Sequence, residues 1–143
     1  MSLKTLGRSD RVDLPGLGLV NIHAKIDTGA YTSSLHCSRV SIMDNQLEFV
    51  LLDAEHPEFT GMKFRFKKFT QREIKNSFGE VELRYVIKTT VRIFDEVFKT
   101  EFSLSDRDKL RFPILLGRKI LRHRFVIDVT KKDLSFTSKP QSL

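Results

Sequence analysis

From residue 20 to residue 26 the chain alternates apolar and polar side chains, and the alternation runs directly into Asp27-Thr28-Gly29. A period of two puts Val20, Ile22, Ala24 and Ile26 on one face of a strand and Asn21, His23 and Lys25 on the other. The same period recurs along most of the chain. Residues 35–43 and 47–52 read as two strands joined by a tight turn at Asp44-Asn45. Met62, Phe64 and Phe66 alternate with Lys63, Arg65 and Lys67. Beyond the turn residues Asn76-Ser77-Phe78-Gly79, Val81, Leu83, Tyr85 and Ile87 alternate with Glu82, Arg84 and Lys88, which predicts a second, long hairpin. A third joins 89–94 to 97–104 through Asp95-Glu96, and Phe125, Ile127 and Val129 give a last short strand. Only residues 117–121, after the apolar run Ile114-Leu115-Leu116, read as a helix, with Gly117 at its entrance. Pro57, Pro113 and Pro140 mark loops or strand ends.

Many short strands and one helix near the C-terminus predict an all-β fold, a small and partly closed barrel, rather than a layered α/β fold. The length of 143 residues suits one domain, placed at 1–137, with the polar residues 138–143 as a flexible tail. No apolar run is long enough for a membrane helix or a signal peptide, so a cytoplasmic protein without membrane contact is expected. The single cysteine, Cys37, has no partner for an internal disulfide. Twenty-five Lys and Arg against eighteen Asp and Glu leave a formal charge of +7, which attracts anionic partners.

Asp, Thr and Gly all favour turns, so Asp27-Thr28-Gly29 alone is also an ordinary strand ending. Its context narrows the reading: an alternating apolar strand before it, Ala30 after it, and far downstream the apolar-apolar-Gly segment Leu115-Leu116-Gly117 opening a helix. A strand into Asp-Thr-Gly-Ala, a hairpin, and a strand into Ile-Leu-Leu-Gly-Arg is the arrangement of retropepsin-like peptidases, which this chain resembles. Ala24-Lys25-Ile26-Asp27-Thr28-Gly29-Ala30-Tyr31-Thr32-Ser33-Ser34-Leu35-His36, Glu82-Leu83-Arg84-Tyr85-Val86-Ile87, Ser105-Asp106-Arg107 and Arg111-Phe112-Pro113-Ile114-Leu115-Leu116-Gly117-Arg118 closely resemble the bacterial and archaeal family labelled ATP-dependent zinc protease. That resemblance covers nearly the whole chain. It implies the acid-protease barrel and an aspartic peptidase. Some members are encoded beside ATP-grasp glutamate ligases that add glutamates to a ribosomal protein, which implies a glutamate-rich substrate.

Amide hydrolysis needs a base to activate water and an acid to protonate the leaving group; two adjacent carboxylates sharing one proton supply both. The chain has one Asp-Thr-Gly, so the second carboxylate is expected from a second copy in a twofold homodimer. Asp27, Thr28 and Gly29 are the expected catalytic residues, and Ala30, Thr32, His36, Arg84 and Arg118 are expected to contact a peptide. Viral retropepsins usually carry an Asp two residues after the glycine, able to pair with the later Arg; here Tyr31 stands there, so Arg118 needs another partner or serves substrate. The hydroxyls of Thr32, Ser33 and Ser34 are expected to satisfy loop backbone groups. The hairpin before Val81 is basic, with Lys63, Arg65, Lys67, Lys68, Arg72 and Lys75, a pattern that an exposed strand face also explains.

Neither zinc nor ATP is expected as a cofactor, despite the family label. His23, His36, His56 and His123 are scattered without His-Glu-x-x-His spacing, and no Gly-rich phosphate loop ending in Gly-Lys-Ser/Thr is present. The other functional class compatible with these features is a catalytically inactive module of the same fold that binds an acidic protein tail or RNA. Nucleic acid is the less expected partner, because the Phe residues lie mostly on the apolar side of the alternation and leave no stacking platform.

Overall fold

The computed structural model of the chain describes residues 3–75, 78–106 and 112–140. The expected turn residues Asn76 and Ser77, the motif residues Arg107 and Arg111, and residues 141–143 of the tail lie outside the described residues. Strands β1 (Lys4–Leu6), β2 (Ser9–Leu14) and β3 (Leu19–Ile26) come first, with a 3-10 turn at Pro15–Leu17. β4 (Ser33–Met43), β5 (Gln46–Leu51), β6 (Lys63–Phe66), β7 (Thr70–Lys75), β8 (Val81–Ile93) and β9 (Glu96–Ser105) follow. The chain ends with β10 (Ile114–Leu116), helix α1 (Arg118–Leu121), β11 (Phe125–Ile127) and helix α2 (Leu134–Thr137). The fold is all-β, as the alternation predicts, with one short helix more than expected.

The main sheet closes on itself. β10 pairs parallel with β3, β3 antiparallel with β2, β2 with β8, β8 with β9, β9 parallel with β4, and β4 returns to β10. Closure gives this ring an inner face, filled by Leu35, Ile87, Val91, Phe102, Ile114 and Leu116, each exposed by 1% or less. The β4–β5 hairpin forms as expected, because Asp44 and Asn45 tolerate the left-handed φ values of 50° and 60° that a two-residue turn requires. In the third hairpin the turn lies one residue earlier than expected: Ile93 pairs with Glu96, and Phe94 takes the left-handed position at φ 57°.

Two expectations need correction. Met62–Phe66 was expected to pair with the strand beginning at Val81, but β6 pairs with β5. Phe64 and Phe66 lie against Phe49, with ring centroids 5.6 and 6.0 Å away, while Lys63 and Arg65 on the other face reach Glu48 at 3.5 and 2.9 Å. The arm of β8 pairs instead with β7, whose residues are nearly all exposed and carry no apolar alternation. Second, Val20 is 64% exposed although the alternation placed it inward. A bulge in the β2–β3 ladder puts Val20 and Asn21 opposite Asp13; Asn21 turns at φ 57° and donates its backbone N–H to Asp13 Oδ1 at 2.9 Å.

The C-terminal segment is fastened to β2. Backbone N–H groups of Ser135 and Phe136 donate to the buried Asp10 carboxylate at 2.9 and 3.0 Å. Lys139, placed in the flexible tail by the sequence, donates to Asp13 Oδ1 at 2.8 Å and to Asn21 Oδ1 at 2.6 Å.

Glu101 on β9 joins the β7 arm to α1, with Arg72 and Lys119 both bound to its carboxylate. The hydrogen bond from Arg72, and then that from Lys119, hold the carboxyl down at about 2 against an ordinary 4.5. A folded value below the unfolded one stabilises the protein above about pH 4.5, and this contribution fades as pH falls towards 2. Glu101→Gln should cost about 1–2 kcal/mol at pH 7. Denaturant unfolding at pH 7 and at pH 2 checks this: the deficit should shrink at the lower pH, and an equal deficit at both would contradict it. Burial pushes the Cys37 thiol up to about 12; a thiol-disulfide reagent should therefore modify the protein only after unfolding, and rapid labelling of the native chain would refute this enclosure.

Candidate active site

Asp27 follows the last residue of β3, where the parallel partner β10 also ends. Its backbone N–H donates to Leu116 O at 2.9 Å, continuing the β3–β10 ladder by one rung. The loop then closes on itself: Gly29 N–H donates to Asp27 Oδ1 at 3.2 Å and Ala30 N–H to Asp27 O at 3.2 Å. Asp27 and Ala30 are half-buried, whereas Thr28 and Gly29 are exposed.

The second motif holds the first from below. Gly117 N–H donates to Ser33 Oγ at 3.0 Å, Arg118 N–H to Ala30 O at 2.8 Å, and Lys119 N–H to Tyr31 O at 2.9 Å. The approach is close enough that a Cβ on Gly117 would lie 2.6 Å from Tyr31 O and 2.9 Å from Ala30 O. This is the physical reason for glycine after Leu115-Leu116. Arg118, left without the aspartate of viral retropepsins, donates from Nη1 to Thr28 O at 2.9 Å. Tyr31 itself is flanked by the Arg118 and Arg122 guanidinium groups, 5.9 and 5.5 Å from its ring centre. Of the three hydroxyls expected to serve the loop, that of Ser33 makes a backbone bond there.

Register decides what shares a face with Asp27. Lys25 pairs with Leu115, Leu115 with Ser34, Ser34 with Ser103, and Ser103 with Val86. Ile26 and Leu116 point into the core, so the period of two turns Lys25 and Asp27 to the opposite side, together with these partners. Arg84, two residues before Val86, lies on that side too and donates from Nη1 to Ser103 Oγ at 3.3 Å. Its side chain is 13% exposed and paired with Glu82 at 2.8 Å; burial draws its pKa down from the ordinary value. The face that carries Asp27 thus has Lys25 open to solvent, and further across the sheet the Arg84–Glu82 ion pair.

His36 lies further along β4, beyond Ser34 and away from the Asp27 loop. It is 2% exposed, its Nε2 is 2.9 Å from Asp53 Oδ2, and among the described residues its Nδ1 has no partner, like the hydroxyl of its cross-strand neighbour Ser105. The bond to His36 holds the Asp53 carboxyl below its usual range. Thr32 is half-buried next to Ser33. The structure therefore gathers Asp27, Thr28, Gly29, Ala30 and Arg118 into one loop assembly, carries Arg84 to the same face of the sheet, and leaves His36 enclosed at its far end. Lys25, Ser34 and Ser103 were not singled out from the sequence for this face. Their placement depends on cross-strand register, which no local pattern in the sequence signals. Among the described residues no three His, Cys, Asp or Glu side chains group as a metal site, and no helix is long and apolar enough to cross a membrane.

The β7–β8 arm carries exposed apolar side chains at its end: Phe78, Val81 and Leu83 are 80%, 60% and 64% exposed. The sequence placed Val81 and Leu83 on a buried face; among the described residues β7 alone pairs with this part of β8, and both side chains are exposed.

The glycine contacts make a paired prediction. Gly117→Ala should destabilise the fold by about 1–3 kcal/mol through overpacking against backbone. Gly29→Ala, whose Cβ would meet only Asp27 Oδ1 at 3.4 Å, should leave unfolding of the isolated chain close to wild type. Equal midpoints for the two variants in thermal unfolding would refute this reading.

The chain is similar to a crystal structure of a protein of unknown function from Legionella pneumophila, with a TM-score of 0.73 and 24% identity over 94% of this chain and 99% of that one. It is also similar to proteins named probable alpha-L-glutamate ligase, 33% identical over 87% of the chain in Desulfotalea psychrophila and 29% over 86% in Shewanella halifaxensis. The chain spans only 28% of the length of each of those two relatives. Residues 5–137 match the RimB-like family, described as the retropepsin-like aspartic endopeptidase RimB, and the chain belongs to that family.

Proposed function

We propose that this protein is an aspartic endopeptidase that works as a homodimer and cleaves glutamate-rich peptides or protein tails. The observation that carries the reading is the single Asp27 loop, fixed by backbone bonds to Leu116 and buttressed by Gly117 and Arg118, with Thr28 and Gly29 facing outward. Half of a two-carboxylate site is built here, and an isologous dimer would bring Asp27 against Asp27. The exposed Gly29, with no Cβ, would let two such loops approach, and the hydroxyl of exposed Thr28 would bond across them.

In such a site the paired carboxylates hold one proton between them, because like charges at short range do not both ionise. The ionised member takes a proton from water as the oxygen attacks the amide carbonyl, and the protonated member donates to the carbonyl oxygen. Collapse of the tetrahedral intermediate then returns that proton and passes another to the leaving amine. The dyad titrates as a pair, so activity should follow a bell-shaped pH profile. The apolar arm end would close over the peptide and exclude water. Lys25, exposed on the face of Asp27, supports an acidic substrate, as do relatives named glutamate ligase, of which this chain resembles one part.

That same partial match favours one other reading, in which the fold is an inactive module that holds an acidic tail for an enzyme acting on it. Incubation with oligo-α-L-glutamate followed by mass spectrometry separates the two. Asp27→Asn should lower cleavage on the order of 10³-fold or more while leaving the fold intact. Full cleavage by that variant would sink the mechanism, and binding without any cleavage by the wild type would favour the inactive module. Activity per chain should also fall on dilution through the dimer dissociation range; a rate per chain that ignores dilution would rule out the shared site.

A further inference from the structure

The polar face that carries Asp27 and Arg84 does not stop at Arg84. Along β8, Arg84, Val86 and Lys88 alternate onto one side, and across the ladder Val86 pairs with Ser103, Lys88 with Glu101 and Thr90 with Lys99. Two hollows of about 710 and 450 Å³ lie over this stretch and share Lys88, Lys99 and Glu101. The larger also touches Val86, so it continues the face beneath Arg84. Lys67 and Lys68 enclose one side, and Lys119 and Arg124 the other. Lys67, Lys68, Lys88 and Lys99 are exposed, and among the described residues no carboxylate pairs with any of them. Glu101, the one acidic residue of the lining, is already neutralised by Arg72 and Lys119.

Resting on the endopeptidase reading above, we propose that this basic groove is an exosite: it binds the part of an acidic polypeptide that extends past the residue held at Arg84. The four residue steps from Arg84 to Lys88 span about 13 Å, the reach of about four residues of an extended peptide. Short acidic peptides therefore fill the cleft alone, and longer ones gain the groove as well. An acidic polypeptide fits better than RNA for two reasons. The groove is continuous with a face on which a peptide would lie, and its two aromatic rings are engaged elsewhere: Phe66 stacks on Phe49 at 6.0 Å, and Phe69 meets the edge of Tyr85 at 5.8 Å.

The test compares oligo-α-L-glutamates of roughly four and roughly twenty residues on the full chain and on the double variant Lys88→Glu/Lys99→Glu. Cleavage is followed by mass spectrometry, and binding by fluorescence anisotropy in an Asp27→Asn background. The long peptide should bind the wild-type groove roughly tenfold more tightly than the short one, by an advantage that added salt removes. The double variant should lose that advantage, mainly in KM, and cleave the short peptide at the wild-type rate. A double variant that keeps the preference for length would overturn the exosite, as would one that loses both peptides equally. Tighter binding of an RNA of matched charge than of the long peptide would overturn the assigned occupant. A wild type that cuts neither peptide defeats the proposed activity while the anisotropy arm still decides the exosite; equal cutting and binding of both lengths defeats the exosite alone.

Discussion

Three residues close the sheet. Ile114–Leu116 lie between β3 and β4, parallel to one and antiparallel to the other, and without them the ring would open into a curled sheet with two more free edges. The strand is short because it needs only to fill a gap one strand wide. Ile114 and Leu116 are fully buried, so it also seals the core from that side. Its last carbonyl receives the Asp27 N–H, and the residue after it is the glycine that accommodates Tyr31 O. Closing the fold and placing the Asp27 loop are thus done by the same hydrogen bonds.

This coupling accounts for how the chain manages without the aspartate found after the glycine in viral relatives. There that aspartate is able to pair with the later arginine. Here three backbone-directed contacts tie loop to helix, from Gly117, Arg118 and Lys119, and the Arg118 guanidinium turns to the Thr28 carbonyl. Tyr31 then stands between two arginines rather than pairing as an anion. A hydrogen bond from a cation to a carbonyl positions the loop without placing a second carboxylate next to Asp27.

Much of this was legible in the sequence because the controlling signals are local. The run from β3 into Asp27, the left-handed residues Asp44 and Asn45, and Gly117 at a helix start each depend on a few consecutive residues. What escaped depends on partner choice. β6 takes β5 because its phenylalanines reach Phe49, which no periodicity within β6 reveals. β7 has no buried face, and so no pattern to read. The bulge at Asn21 shifts the alternation by one residue, so Val20 came out on the wrong side. For the candidate site, Asp27 and Gly117 stood out as motifs, whereas Lys25, Ser34 and Ser103 join the same face only through registers that three separate ladders establish.

A closed ring has no loose edges, but the strands outside it do. Among the described residues β6 ends the sheet beyond β5 and β7 borders β8 alone, so each presents an outer row of backbone groups without a strand partner. Such rows invite neighbouring molecules to add a strand, and charged side chains are a common protection against that. β6 carries Lys63 and Arg65, and β7 carries Arg72, Glu73 and Lys75, nearly all exposed. The charged character of these edges then has a second meaning, independent of any ligand: side chains that resist losing water keep copies of the chain from pairing strand to strand, so that association is left to other surfaces.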